Sequence, residues 1–233
     1  MPLTYLVIGM SHVGALIRAA SDPVRPAFRI VNLRHEKADI ARDAEARKAM
    51  VSRIAKADVL CFALEGNFHN VLSLMNDPEP FFMVPSAPQG HFVPQDMMQA
   101  HIDARHQRTL RLAQTIAEMF PARLRIVLDP PPPAGDAAHI ARYPGVFVDK
   151  IGHGVSPAAL RVAMYGLQSA MFRAHAKVLD AAFLPSPIAA RDDAGMLAAR
   201  YWNTDPTHGN AAYGQLVLDG IEALALQTMG KTA

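Results

Sequence analysis

Hydrophobic and polar positions divide the chain into two kinds of segment. Short, almost wholly apolar runs rich in β-formers predict strands, and segments with helical periodicity lie between them. The predicted strands are Leu3–Gly9, Phe28–Leu33, Asp58–Leu64, Leu124–Asp129 and Val178–Phe183. Near-continuous apolar strands are typical of a parallel sheet that helices cover on both faces. The pattern therefore predicts an α/β fold.

The helical segments alternate with these strands as in a doubly wound α/β domain. They are predicted at Ser11–Ala20, Asp39–Ala55, Gln95–Phe120, Pro157–Ala176 and Ala211–Met229. We expect one three-layer α/β/α domain over residues 1–233, with a mostly parallel five-stranded sheet in the order 2-1-3-4-5. The segment Pro78–Pro94 carries five prolines and is less regular, and its Phe81–Val84 run fits either a short strand or a buried loop.

Composition excludes several classes of function. The formal net charge is +2 and the basic residues are scattered, so no concentrated positive patch is available for nucleic acid or a membrane surface. The single cysteine, Cys61, excludes a disulfide within the chain and disfavours a cysteine metal site. No apolar run approaches the roughly 20 residues of a membrane span. The first residues lack the basic region and cleavage site of a signal peptide, so we expect a cytoplasmic protein.

Ser11 is the first residue with candidate chemistry. It lies in Gly9-Met10-Ser11-His12, between an apolar strand and a helix. A serine at this junction is exposed at the carboxyl edge of the sheet, where unpaired backbone N–H groups and the helix dipole favour negative charge on an oxygen. Serine is also a preferred helix N-cap, so a purely structural role stays open on this motif alone.

A second candidate is the pair formed by Asp205 and His208, which are three residues apart. At this spacing both side chains can lie on one side of a turn. The carboxylate can then accept a hydrogen bond from one imidazole nitrogen and leave the other to take a serine proton. The alternative is a helix cap at Asp205 or Thr207 beside an incidental histidine.

Gly66 and Asn67 directly follow the third predicted strand. A glycine lets a ligand approach the backbone closely, and the Asn67 amide can donate to an oxyanion. The alternative is an ordinary strand-to-helix turn. In the predicted sheet order, the ends of strands 1 and 3 are neighbours at the switch point where ligands bind. Ser11 and Asn67 would then face one crevice, and the long connection before the last helix can carry the Asp–His pair over it.

In their residues and their order, these motifs resemble the SGNH (GDSL-like) hydrolase superfamily. The resemblance lies at Ser11, Asn67, Asp205 and His208, in a bacterial branch with a Gly-x-Ser-His opening and an Asp-x-x-His-Gly-Asn ending. It implies a flavodoxin-like fold and a triad with Ser11 as nucleophile, His208 as base and Asp205 as its orienting acid. It also implies an oxyanion hole that includes Asn67 and Ser11.

The sequence departs from the family pattern at three points. Met10 stands in place of the aspartate of Gly-Asp-Ser-Leu, and Phe68 in place of the aspartate after the block-III asparagine. The family's block-II glycine has no counterpart, because Phe28–Asp39 contains no glycine. That glycine supplies a backbone N–H to the oxyanion hole. Three residues lie at the strand end where such a donor belongs: Asn32, Leu33 and Arg34.

The other histidines do not predict a metal site. His101 and His106 are five residues apart, which differs from the i, i+4 spacing of a zinc pair. His12 and His69 adjoin the candidate site, where they either line the substrate pocket or pack in the ordinary way. The segment Phe81–Met98, rich in aromatics, methionines and prolines, either shapes that pocket or forms a proline-stiffened surface loop.

The sequence thus predicts an enzyme that hydrolyses a small-molecule carboxylic ester through an acyl-serine intermediate. The resemblance implies an O-acetylated sugar, a small ester or a lipid ester as substrate. The chemistry requires no cofactor, and neither nucleic acid nor a membrane is an expected partner. Two alternatives stay open: an acyltransferase that passes the acyl group to a sugar hydroxyl, and a catalytically inactive binding protein with the same fold.

Overall fold

The computed structural model of the protein describes residues 2–34, 57–83 and 90–230, and positions 45, 48 and 51. The strands there are β1 (Tyr5–Gly9), β2 (Phe28–Asn32), β3 (Val59–Ala63), β4 (Phe81–Phe82), β5 (His91–Phe92), β6 (Leu124–Leu128) and β7 (Ala182–Leu184). The α-helices there are α1 (Val13–Ser21), α2 (Phe68–Ser73), α3 (Gln95–Arg105), α4 (Gln107–Met119), α5 (Ala137–Arg142), α6 (Ala158–Val178) and α7 (Ala211–Met229). Of the helix predicted over Asp39–Ala55, only positions 45, 48 and 51 are described, and these are helical; the rest lies outside the described residues. None of the described helices is long and apolar enough to cross a membrane.

Five of these strands form one parallel sheet in the order β2-β1-β3-β6-β7. Numbered within the sheet, this is 2-1-3-4-5, so the predicted topology is confirmed. The register pairs Gly9, the last residue of β1, with Asn32 on β2 and with Ala63 on β3. The ends of these three strands are therefore level, and the segments that follow them start at one edge of the sheet.

Hydrophobic cores cover the two faces of the sheet. Every residue of β1 and β3 is buried, as expected for central strands. Because side chains alternate along a strand, Leu6 and Leu60 pack with α3, α4 and α6, whereas Val7 and Cys61 pack with α1 and α7. The thiol of Cys61 is free and wholly buried, and this burial raises its pKa. The predicted three-layer α/β/α architecture is confirmed.

The fifth strand of the sheet begins later than the sequence predicts. Helix α6 continues to Val178, and β7 covers Ala182–Leu184 instead of Val178–Phe183. The helix ends in a Schellman turn, in which Asp180 has a φ of 48° and the N–H of Ala181 donates to the carbonyl of Ala176 at 2.9 Å. This turn occupies the residues between helix and strand, so the strand starts only after it.

The long helix predicted over Gln95–Phe120 is divided at His106 into α3 and α4. The Nδ1 atom of His106 donates to the carbonyl of Ile102 at 2.8 Å. Side-chain bonds of this kind compete with a continuous helical ladder. The break leaves the His106 ring buried, with its centroid 5.2 Å from that of Phe68.

The described part of the proline-rich segment contains a small two-stranded sheet. Strand β4 pairs in parallel with β5, so Phe81 and Phe82 form a short strand. The rings of Phe82 and Phe92 lie 5.5 Å apart across this pair.

Candidate active site

Ser11 lies beyond the carboxyl end of β1, in the turn that leads into α1. Gly9 permits this turn, because a Cβ there would lie 2.5 Å from both the Ala63 carbonyl oxygen and the Val13 side chain. Helix α1 begins at Val13, and among the described residues neither the Ser11 nor the His12 side chain makes a capping hydrogen bond, so the capping interpretation of Ser11 has no support. The half-buried Ser11 instead lines a cavity of about 520 Å³ at the carboxyl edge of the sheet.

Asp205 and His208 form a hydrogen-bonded pair on the wall of the same cavity. The Oδ1 atom of Asp205 accepts from His208 Nδ1 at 2.8 Å, and from the N–H groups of Thr207 and His208 at 2.9 Å each. The N-cap of the following helix is Asn210, so the capping alternative for Asp205 and Thr207 does not hold. The Nε2 atom of His208 is buried and has no hydrogen-bond partner among the described residues. It is therefore available to take a proton.

Local hydrogen bonds fix the loop that carries this pair. Asn203 Nδ2 donates to Asp205 Oδ2 at 2.7 Å, and the N–H of Asn203 donates to the carbonyl of His208 at 3.2 Å. Asn210 Nδ2 donates to the carbonyl of Trp202 at 3.1 Å.

Burial would raise the pKa of Asp205, but the hydrogen bond and the charge of His208 hold this pKa well below its usual range. The carboxylate is therefore ionised at neutral pH.

Ser11 and His208 line the same cavity, and in the described part of the chain no hydrogen bond joins Ser11 Oγ to His208 Nε2. Such contacts are often long without a substrate and tighten in the reacting complex. The geometry thus places a candidate nucleophile and a candidate base on one cavity wall, with an oriented carboxylate behind the base.

His12 packs behind the base instead of lining the main cavity. Its ring centroid lies 4.7 Å from that of His208, with the rings inclined at 48°. Burial, followed by the neighbouring His208 and His69, holds the pKa of His12 well below its usual range, so its ring is neutral. Gly66 makes room for this ring, because a Cβ on Gly66 would lie 2.9 Å from it and 2.6 Å from the Pro130 side chain.

Asn67 lines the cavity at the start of α2, next to Gly66. Its side chain makes no capping bond to the helix. The Oδ1 atom of Asn67 instead accepts a hydrogen bond from Asn70 Nδ2 at 2.8 Å. An asparagine amide carries one oxygen and one NH2 group, so this bond leaves the NH2 group of Asn67 available as a donor.

His69 lies behind Asn67 and does not line this cavity. Its side chain is wholly buried, and its N–H and Nδ1 both donate to the Oε1 atom of Gln168, at 2.6 and 2.9 Å. Burial lowers the pKa of His69 to about 4, so its ring is neutral at physiological pH. The contact with Gln168, which lies on α6, fixes the position of the helix that carries Asn67.

Arg34, which the sequence offered as a backbone donor, lines the cavity. Further parts of the wall come from residues that the sequence did not connect with the site: Glu65, Arg105, His106, Val146 and Phe147. The break at His106 brings the end of α3 to the cavity, and Gly145, with a φ of 55°, turns the chain before Val146. The described residues of Phe81–Met98 do not line this cavity. Across the described ranges, no group of three or more His, Cys, Asp or Glu side chains is arranged to hold a metal ion.

Comparison with known proteins relates this fold to solved structures. No protein-family model and no curated protein matches the sequence. A protein provisionally described as a platelet activating factor from Streptococcus pneumonia is 12% identical, with a TM-score of 0.55 over 96% of this chain and 84% of that chain. An extracellular lipase from Streptomyces rimosus is 13% identical, with a TM-score of 0.50 over 95% and 99% of the two chains. A protein provisionally described as an SGNH hydrolase from Slackia heliotrinireducens is 13% identical, with a TM-score of 0.50 over 96% and 98%. The α/β fold therefore matches that of SGNH hydrolase neighbours, and at these identities the likeness concerns the fold alone.

Proposed function

We propose that this protein is an SGNH-type serine esterase that hydrolyses a carboxylic ester through an acyl-serine intermediate. Ser11 is the nucleophile, His208 its base and Asp205 the acid that orients His208. The observation that carries the proposal is the meeting of Ser11, Asn67 and the hydrogen-bonded Asp–His pair on one cavity. That cavity lies at the edge where open α/β sheets bind their ligands. The fold shared with a lipase and an SGNH hydrolase supports the same reaction class.

In the first half-reaction, His208 Nε2 takes the proton of Ser11 Oγ as this oxygen bonds to the ester carbonyl carbon. The electron pair of the C=O bond moves onto the carbonyl oxygen, which accepts hydrogen bonds from the Ser11 N–H and the Asn67 amide. When the C=O bond forms again, the bond to the alkoxy group breaks, and the leaving oxygen takes the proton from His208. Asp205 stabilises the imidazolium while it exists.

In the second half-reaction, His208 takes a proton from water, and the water oxygen attacks the acyl-serine. Ser11 Oγ leaves with the proton of His208, which releases a carboxylic acid and regenerates the enzyme. The proposal favours an O-acetyl group on a carbohydrate or another small acyl ester as substrate. A cavity of about 520 Å³ with both apolar and charged walls has the size of a small-molecule site.

The test compares two serine substitutions on the uncharged ester p-nitrophenyl acetate. Ser11→Ala removes the nucleophile and should lower kcat by at least about 1000-fold. Ser21→Ala is the matched control at the far end of α1, where the exposed Ser21 hydroxyl donates only to the carbonyl of Ile17, and it should retain wild-type kcat. A fluorophosphonate probe should label the wild type at Ser11, as located by peptide mass mapping, and should leave Ser11→Ala unlabelled.

The same measurements separate the alternatives. Ester turnover that survives in Ser11→Ala would remove Ser11 from the mechanism. A wild type that neither turns over esters nor takes the probe would be a binding protein with an inactive site. Transfer of the acyl group to an added sugar, in preference to water, would identify an acyltransferase that uses the same serine.

A further inference from the structure

The end of β2 does not supply a third oxyanion donor through its backbone. The N–H of Leu33 donates to the carbonyl of Gly9 at 2.8 Å, and the N–H of Arg34 donates to the side-chain oxygen of Asn32 at 3.0 Å. Successive N–H groups of a strand point to opposite sides, so the N–H of Asn32 points away from β1. All three amides that the sequence offered in place of the block-II glycine are thus engaged or turned away from Ser11.

Arg34 itself, in contrast, belongs to the site, because this exposed residue lines the same cavity as Ser11 and Asn67. The charge of Arg34 reaches His12, the residue that follows Ser11. Burial is the main cause of the lowered pKa of His12, and the positive charge of Arg34 lowers this pKa a little further. No carboxylate within the described ranges forms a salt bridge with Arg34. The cavity is therefore lined by a cation that forms no salt bridge with a described carboxylate, although Glu65 and Asp205 line the same cavity.

We infer that the Arg34 guanidinium donates to the ester carbonyl oxygen as negative charge develops on it, in place of the absent backbone donor. This inference rests on the proposed esterase function and adds a residue to its oxyanion hole. The guanidinium stays protonated throughout, so it transfers no proton and only compensates the electron pair that moves onto the oxygen. Charge-assisted hydrogen bonds are stronger than neutral ones, and this bond gains most in the transition state, where the oxygen carries its charge.

The test measures kcat and KM on uncharged p-nitrophenyl acetate, so that attraction of a substrate charge plays no part. Arg34→Met keeps the aliphatic stem but removes every donor, and it should lower kcat roughly 100-fold with KM within about threefold. Arg34→Lys keeps the charge and should recover part of the loss. Arg29→Met is the matched control, because Arg29 is an exposed cation on β2, five residues before Arg34, and does not line the cavity; its kcat should stay at the wild-type value.

Each outcome decides the inference. A wild-type kcat in Arg34→Met overturns it. The inference is also overturned if Arg34→Met changes only KM, and only for an ester that carries a free carboxylate. Arg34 would then bind the negative charge of the substrate and not the oxyanion. If Arg34→Met does not fold, the rate of fluorophosphonate labelling in Arg34→Lys takes its place: a tenfold or greater decrease supports the inference, and an unchanged rate contradicts it. The proposed esterase function survives these failures as long as Ser11→Ala is inactive, whereas a wild type without turnover or labelling overturns both.

Discussion

Asn67 shows how one neighbouring side chain can fix the direction of a functional group. Asn70 is 1% exposed, and its Nδ2 atom donates to Asn67 Oδ1 at 2.8 Å. Asn67 occupies the N-cap position of α2 and Asn70 follows three positions later, which brings their side chains together. If the Asn67 amide rotated by half a turn, its NH2 group would meet the NH2 group of Asn70. With Asn70 oriented as in the structure, Asn67 keeps its donor for a ligand.

We predict that Asn70→Ala lowers kcat about tenfold with little change in KM. Without Asn70 the Asn67 amide can rotate, so its NH2 group faces the ester oxygen only part of the time. Asn67→Ala should lower kcat by roughly 100- to 1000-fold, the range for a single oxyanion donor. If Asn70 acts only through Asn67, the double variant should be no slower than Asn67→Ala. The kcat values of the wild type and the three variants on p-nitrophenyl acetate give a double-mutant cycle for Asn67 and Asn70.

Ser73→Ala controls for the loss of a buried polar group from the same helix. The Ser73 hydroxyl donates to the carbonyl of His69 at 2.7 Å and is not bonded to Asn67. Its loss should lower the melting temperature and leave kcat unchanged. A double variant of Asn67 and Asn70 in which the two kinetic losses multiply would show that Asn70 acts by another route.

Individual site residues can be predicted from the sequence where a short motif identifies their chemistry. Ser11, Asn67, Asp205 and His208 are of this kind, and the structure brings all four to one cavity. The guanidinium of Arg34 was not predicted as part of the site. Its significance depends on which amides at the end of β2 are already hydrogen-bonded, and a linear sequence does not contain that information.

Among the elements, α1 and α7 directly follow the two segments that carry the proposed nucleophile and base. Helix α1 starts at Val13, directly after the turn that holds Ser11, and α7 starts at Ala211, shortly after His208. The two helices pack closely at Gly214. A Cβ there would lie 2.7 Å from the carbonyl carbon of Ala15 and 2.9 Å from the Cβ of Ala19. The separation of the two helices therefore influences the distance between serine and histidine.

We predict that Gly214→Ala lowers both stability and activity. The added methyl group forces α7 away from α1, and overpacking of this kind costs about 1–3 kcal/mol in the free energy of unfolding. The same displacement should lower kcat about tenfold, since proton transfer depends steeply on the distance between Ser11 and His208. Chemical denaturation and kinetics on the same protein samples measure the two effects.

Gly166→Ala is the matched control for this change. Gly166 lies inside α6, and a Cβ there would have nothing within 4 Å. Alanine is the better helix former by up to about 1 kcal/mol, so this variant should be more stable with normal kcat. A destabilised Gly214→Ala protein with unchanged kcat would show that the helix separation does not set the catalytic distance.

Element boundaries depend on interactions that hydrophobic periodicity does not show. The apolar pattern continues across Asp180 and across His106, so it predicts a strand that starts too early and a helix that is too long. In the structure, a Schellman turn at Asp180 and a side-chain bond from His106 to Ile102 set the actual ends. Both are local hydrogen bonds, which the apolar pattern does not contain.

For the molecule as a whole, the order of the sheet was predictable because its central strands are wholly apolar and alternate with helices. Parallel strands joined by right-handed crossovers leave few possible topologies. The wall of the cavity was less predictable. Its residues Val146 and Phe147 belong to the 3-10 segment Gly145–His153, whose position depends on packing between irregular segments.

Cys61, the only cysteine in the chain, gives the protein an internal reporter of unfolding. It lies on the middle strand between Val7 and Ile126, wholly buried, so a thiol reagent reaches it only when the sheet opens. We predict that the native protein reacts at least about 1000-fold more slowly than the protein in urea, because the labelled fraction follows the open population. A ratio near one would mean that the sheet opens without global unfolding. The rate of Cys61 labelling, followed by mass spectrometry in the assay buffer, can therefore rank the stability of every variant above.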